Sequence, residues 1–296
     1  MELYEIQELV DSGQLLKPDP FDGDFPMRGS ALAKCPREMG HLLRGMPRAE
    51  VTPRQKRTFE VGHQRGEALG EAFSLGLKAK HGDDPKVEWY EEYRCRIPTG
   101  IYGQQACAIF QKALEQAGGG QSKVPMAVGG PDDRLFILGS IDALFVNHKT
   151  KLIWVIDWKT KHSFGFKKLG DEGVDLSYLV QVGAYVKAMR AQFPGYEIRA
   201  AVYYEDKNDA KHKALEIDLE SDDHLVDEYI QKNEVQLRNW LLGGPVPDPG
   251  YAPNDKGSLP WQCNYCSVGP DRGKCFDGVV DQRQAGKDIP SWKVPV

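Results

Sequence analysis

The run Leu152-Ile-Trp-Val-Ile-Asp157 limits the fold of this chain more than any other segment. Five apolar residues in succession, closed by a carboxylate, predict a short strand buried on both faces. Such a strand belongs inside a sheet that is covered on each side. Asp157 then stands where the strand emerges, and Lys159 follows two residues on. In an extended chain residues two apart share a face, so the carboxylate and the ammonium leave together.

The flanking segments supply the rest of the sheet. Leu135 to Val146 reads as a preceding strand, apolar through Ile137, Leu138, Ile141, Ala143 and Phe145, and it carries Asp142. Asn147-His-Lys-Thr-Lys151 is the polar turn between the two strands. Upstream, Thr52-Pro53 predicts a helix start, an N-cap followed by proline in the first turn. That helix carries Phe59, Gly62, His63, Gly66, Glu67, Leu69 and Phe73. Val87 to Ile97 alternates as a strand, and the glycine-rich residues 117–131 read as a loop or a helix break. Downstream, Asp175 to Phe193 has helical spacing, Ile198 to Tyr204 is a strand, and Ser221 to Leu242 is a helix capped by Ser221 and closed by Gly243-Gly244. The order helix, three strands, helix, strand predicts an α/β fold, a small mixed central sheet flanked by helices.

With 296 residues, 41% of them hydrophobic, the chain can bury one large core or two small ones. No apolar run approaches the length of a membrane span, and the acidic start Met1-Glu-Leu-Tyr-Glu-Ile6 lacks the features of a signal peptide. The expected location is cytoplasmic, with no membrane partner. A net charge of -5 argues against a general nucleic-acid-binding surface. Phosphate binding needs only a local basic stripe. Lys161, His162, Lys167 and Lys168, interleaved with Phe164 and Phe166, form such a stretch directly after Lys159. It reads as a DNA-binding loop, with a plain solvated loop as the alternative. No Gly-x4-Gly-Lys-Ser/Thr loop is present, so this chain carries no ATP-driven motor.

Asp142 and Asp157, on rigid strands, suit a hard divalent cation such as Mg²⁺ or Mn²⁺, with the backbone carbonyl of Trp158 as a third oxygen. Lys159 is placed to orient or deprotonate an attacking water and to offset phosphate charge. Gln181 and Tyr185 follow on a helix, one turn apart on one face. Together Gly139-Ser-Ile-Asp142, Ile156-Asp157-Trp158-Lys159 and Gln181-x-x-x-Tyr185 resemble the active site of PD-(D/E)XK nucleases, and among them the RecB-like nucleases. The resemblance implies a restriction-endonuclease-like core that hydrolyses DNA phosphodiesters, with Gln181 and Tyr185 lining the active site. Two positions depart from that pattern. Ile141 stands in place of proline, and Gly66 falls where the upstream helix of the RecB-like enzymes carries a histidine. His63 and Glu67, four apart on one helical face, are the candidates for the missing metal ligand.

Six cysteines in a chain expected in a reducing compartment point to metal ligation rather than disulfides. Cys263-x2-Cys266-x8-Cys275 has metal-knuckle spacing but is one ligand short of a closed site. Cys35, in Ser30-Ala-Leu-Ala-Lys-Cys35-Pro, is the expected fourth, while Cys95 and Cys107 read as buried or inert thiols. This arrangement resembles the RecB-like exonucleases of CRISPR adaptation, their phage-borne relatives and the AddB nuclease domain. The resemblance implies a [4Fe–4S] cluster stapling the N- and C-terminal segments, with zinc as the alternative metal. Residues 1–28, with Pro18, Pro20, Pro26 and several aspartates, read as weakly ordered, and the resemblance implies a single nuclease domain over 29–280 with a tail over 281–296. The function so implied is an exonuclease on DNA ends or single strands, with partner proteins of repair, recombination or CRISPR adaptation. A non-catalytic DNA-binding or assembly subunit and a zinc-stapled endonuclease are the competing readings.

Overall fold

The computed structural model describes residues 25–46, 48, 53–251, 263, 266 and 268. In chain order these form α1 (Pro36–Leu43), a long α2 (Pro53–His81), β1 (Val87–Pro98), α3 (Gly103–Gln116), β2 (Met126–Gly129), β3 (Arg134–Asn147), β4 (Leu152–Lys161), α4 (Ser163–Glu172), α5 (Leu176–Gln192), β5 (Glu197–Asp206), β6 (His212–Glu216) and α6 (Asp223–Leu241). The expected order of helix, three strands, helix, strand is α2, β1, β3, β4, α5 and β5. Helix α3 and strand β2 are inserted between the first two core strands, and β2 occupies the end of the stretch read as a loop. Thr52, the expected cap of α2, lies outside the described residues.

The sheet runs β1-β3-β4-β5-β6, with β2 paired to β3. Strands β4 and β5 are parallel and every other pair is antiparallel, so the sheet is mixed as expected. A parallel pair requires a crossover, which α4 and α5 supply. Ile137 pairs with Ile97 on one side and Met126 on the other, so β2 shares the edge of β3 that β4 uses further along.

Side chains alternate along β4. Ile153, Val155 and Asp157 are buried, whereas Trp154, Ile156 and Trp158 are half-buried. The expectation of a strand buried on both faces is therefore corrected. Helix α5 seals one face. The other is covered by α2, which meets it through Phe73, edge-on to Trp158 at 5.7 Å, and through Gly62 beside Thr160. Glycine at that crossing leaves the tryptophan face only partly shielded. Behind α5 lies α6, with a Val226 methyl where a Cβ on Gly183 would come within 2.4 Å. Only glycine at 183 allows so close a helix approach.

The first described residues, α1 and the segment after α6 lie together on one side of this core. Phe25 and Met27 are buried, with Phe25 against Trp240 at 5.4 Å and its N–H donating to the Lys123 carbonyl at 2.8 Å. Weak order through residue 28 is thus corrected for 25–28, where two apolar side chains gain core burial; residues 1–24 lie outside the described set. After α6 the chain turns at Gly243, φ 70, and runs back over α1. There Arg44 donates to the carbonyl of Pro245 at 3.0 Å and Arg37 to that of Pro247 at 3.3 Å. No described helix is long and apolar enough to cross a membrane.

Candidate active site

Strands β1 and β3 keep one antiparallel register from Val87↔Asn147 to Pro98↔Phe136, yet the opposed Glu92 and Asp142 are left out of it. Glu92 has φ 52, a left-handed conformation costing an L-residue roughly 1–2 kcal/mol. The faces of β1 change over at this point. Glu91 accepts a hydrogen bond from Ser74 of α2, whereas Tyr93 accepts one from Gln192 of α5 on the opposite side of the sheet. At the kink Asp142 turns toward β4, where the Trp158 backbone N–H donates to its Oδ2 at 2.8 Å.

Asp157 is fully buried beneath α5. Gln181 Nε2 donates to Asp157 Oδ1 at 3.1 Å and to the Tyr185 hydroxyl at 3.0 Å. Lys159 Nζ lies 2.5 Å from Asp157 Oδ2 and 5.0 Å from the centre of the Tyr178 ring. Lys159 thus engages Oδ2 of the Asp157 carboxylate while Gln181 engages Oδ1. Gly139, the first residue of the Gly-Ser-Ile-Asp segment, lies under the Tyr185 ring, and a Cβ there would stand 2.4 Å from it. All five residues expected to act together are thereby brought to one place.

The electrostatics follow from burial. Burial and the neighbouring Asp157 push Asp142 up to about 7, with Lys159 pulling the other way. Burial likewise raises Asp157 against the pull of Lys159. Burial alone would lower Lys159, but Asp157 and Asp142 outweigh it and hold the group as an ammonium. A buried and a half-buried carboxylate share one lysine, and their oxygens are hard. This set fits a divalent cation held by Asp142 and Asp157. Among the described residues no three His, Cys, Asp or Glu side chains converge to hold a metal ion by themselves, so waters and backbone carbonyls such as that of Trp158 would fill the shell.

The remaining candidates lie around this centre. His63 and Glu67 are exposed on α2 and ion-paired to each other at 3.3 Å, with no hydrogen bond or ion pair to either aspartate. The expected DNA-binding loop is corrected to a helix: α4 starts at Ser163, whose hydroxyl donates to Asp206 at 2.8 Å, and it buries Leu169 with Phe166 packed against the core. Lys161 ends β4 in an ion pair with Asp175 at 2.8 Å, and His162 stands at the N-cap. Phe164 is 72% exposed, Lys168 lies 4.9 Å over its ring and pairs with Glu172 at 3.2 Å, and Lys167 is exposed. Glu92 was missed by sequence reasoning. Its only signal is pairwise, the register that sets Val87–Ile97 against Leu135–Val146.

Cys35 is the N-cap residue of α1, and its Sγ accepts the Gly250 N–H at 3.3 Å. Cys263 and Cys266 are half-buried, and Cys275 lies outside the described residues. Burial raises the Tyr251 phenol, and Cys35 and Cys263 both add to that rise, so the two sulfurs lie within electrostatic reach of one ring. Cys95 is buried against the sheet, its thiol pushed up to about 12 by burial, and Cys107 is exposed on α3.

A stretch of 150 residues, 50% of this chain, is 28% identical to the uncharacterized protein YqaJ of Bacillus subtilis (strain 168). The match spans 43% of that relative's length. The crystal structure of SSO0001 aligns over 88% of this chain and 93% of that one, at 14% identity and a TM-score of 0.38. Residues 30–270, most of the chain and all of the sheet and its aspartate–lysine centre, match the family model of the PD-(D/E)XK nuclease superfamily, and the chain belongs to that superfamily.

Proposed function

We propose that this protein is a Mg²⁺- or Mn²⁺-dependent DNA nuclease of the RecB-like kind, an exonuclease acting on DNA ends or single strands. The observation that carries the reading is the convergence of Asp142, Asp157, Lys159, Gln181 and Tyr185 on one side of the sheet. A divalent cation between the aspartates would supply Lewis-acid stabilisation of charge on the scissile phosphate. Lys159, held as an ammonium, donates hydrogen bonds to the attacking water or a phosphate oxygen and offsets the charge that builds there. Gln181 fixes the rotation of the Asp157 carboxylate, and Tyr185 fixes Gln181. The exposed Phe164 and the Lys167 and Lys168 ammoniums, on the helix that follows the catalytic strand, suit a base face and adjacent phosphates.

The proposal includes a [4Fe–4S] cluster on Cys35, Cys263, Cys266 and Cys275, with zinc as the alternative. It is supported by the return of residues 243–251 over α1 and by the shared reach of Cys35 and Cys263 to Tyr251. The physiological setting, repair, recombination or CRISPR adaptation, is proposed from the family resemblance alone. The test is degradation of end-labelled linear and covalently closed circular DNA, with Mg²⁺, Mn²⁺ or EDTA. Metal-dependent release of short products from the linear form, with the circle intact, is expected. Intact linear DNA under every metal condition would refute a nuclease, and equal cutting of the circle would refute an exonuclease.

A further inference from the structure

We infer that Arg94 and Arg96 of β1, with Arg134 of β3, form a phosphate-binding surface that holds the DNA backbone on the side of the cleavage centre away from α4. The inference rests on the proposed DNA nuclease and names where its substrate lies. Strands β3 and β4 pair only between Ala143↔Ile156 and Asn147↔Leu152. Asp142 and Asp157 are the first residues beyond the last pair, so the aspartates stand where the sheet forks. One branch is β4 with β5, paired as far as Lys161↔Asp206 and leading into α4. The other is the first half of β3, held between β1 and β2. Along that branch Cys95 and Ile97 are buried in the core, so Arg94 and Arg96 lie on the opposite face, with Ser140 and Leu138 as their cross-strand partners. Helix α2 touches β1 at Glu91 and β3 at Phe145, both beyond the kink. It leaves Arg94 and Arg96 exposed.

The charge on this face is not compensated from within the chain. Arg65, Arg190, Arg199 and Arg238 each pair with a carboxylate. Among the described residues Arg94 and Arg96 have neither an ion pair nor a hydrogen bond. Arg96 instead reaches across β3: its Nη1 lies 4.0 Å from where a Cβ on Gly129 would stand, and Gly129 is the β2 partner of Arg134. Arg134 lies over the exposed ring of Tyr102, 4.6 Å from its centre, and donates to the Tyr102 hydroxyl rather than to a carboxylate. From Arg94, opposite Ser140, to Arg134 the row runs along six residues of β3, roughly 20 Å. In a chain of net charge -5, cations kept clear of carboxylates along one face complement a polyanion. The bound cation and Lys159 serve the phosphate being cut, whereas its neighbours need protein cations, and guanidinium forks match phosphate oxygens. Continuity with the cleavage centre favours DNA over an acidic protein partner. The face turns from acidic at Glu92, held by the Ser140 hydroxyl at 2.6 Å, to basic at Arg94, and Ser140 is two residues from Asp142.

Fluorescence anisotropy of a labelled oligonucleotide across a salt series, in Ca²⁺ to block turnover, tests this beside thermal melting. Arg94→Ala together with Arg96→Ala should weaken binding and reduce the slope of log affinity against log salt by about two. The melting temperature should stay unchanged, because both side chains are exposed and unpaired. Arg94→Lys together with Arg96→Lys should keep the wild-type slope, since the slope counts neutralised phosphates and not guanidinium geometry. An alanine pair with wild-type slope and affinity, beside a wild-type protein that binds and degrades DNA, overturns this inference alone and leaves the face to a protein partner. A lysine pair that loses the slope as fully as the alanine pair overturns it too. A wild-type protein that neither binds nor cuts DNA overturns the nuclease reading on which it rests.

Discussion

Gln181 connects helix to strand at the centre of the site, since one amide nitrogen serves both Asp157 and Tyr185. Gln181→Leu preserves the shape but leaves a buried carboxylate oxygen without its donor. The expected result is a fall in kcat of about 10- to 100-fold and a loss of roughly 1–3 kcal/mol in urea denaturation. Retention of wild-type kcat would remove Gln181 from the mechanism. Gly139→Ala tests the floor of the same site. Its Cβ would press on the Tyr185 ring, and overpacking of that kind costs about 1–3 kcal/mol, read as a lower urea midpoint. An unchanged midpoint would mean that the ring moves aside freely. At this scale Asp142, Asp157, Lys159, Gln181 and Tyr185 were legible because strand and helix periods tie them to faces of their elements. Glu92 was not legible, because its placement depends on a φ reversal that no glycine or asparagine marks in the sequence.

Helix α4 carries the proposed grip on DNA directly from the catalytic strand. Replacing Lys167 and Lys168 together by alanine should raise KM and reduce the slope of log affinity against log salt by about two, roughly one per phosphate contact. Phe164→Ala should weaken single-stranded DNA without changing that slope, because stacking releases no counterions. Fluorescence anisotropy across a salt series, in Ca²⁺ to block turnover, measures both. A lysine variant with an unaltered slope would place the DNA path elsewhere. The core elements were readable in order, β3 and α5 to within a residue at each end because they have long apolar patterns, whereas β4 was read only as far as Asp157 and runs on to Lys161. Helix α4 was read as a loop because its basic and glycine residues hide the Phe166–Leu169 pair that packs inward. The cover over β4 was overestimated for a related reason. A continuous apolar run reports hydrophobicity on both faces, but not how tightly a glycine-bearing helix closes over one of them.

Across the molecule, the core separates Cys35 from Cys263 in sequence, while the segment after α6 returns to α1. A cluster joining the two ends would close a loop spanning the core, a constraint of about 4–5 kcal/mol if a disulfide-like entropy is borrowed for scale. Cys35→Ser should therefore remove the visible absorbance of the anaerobically purified protein and render it protease-sensitive. A Cys35→Ser protein with normal iron content and melting temperature would show that Cys35 is not a ligand. This return of the chain was not legible as periodicity, since it rests on arginine-to-carbonyl bonds between distant segments. The central claim is that Asp142, Asp157 and Lys159 form a cation-dependent hydrolytic centre. Its most direct test measures Mn²⁺ binding and DNA turnover side by side in Asp157→Ala and Lys159→Ala. The prediction is that Asp157→Ala loses both, whereas Lys159→Ala binds Mn²⁺ and turns over nothing. Undiminished cleavage by either variant would contradict it.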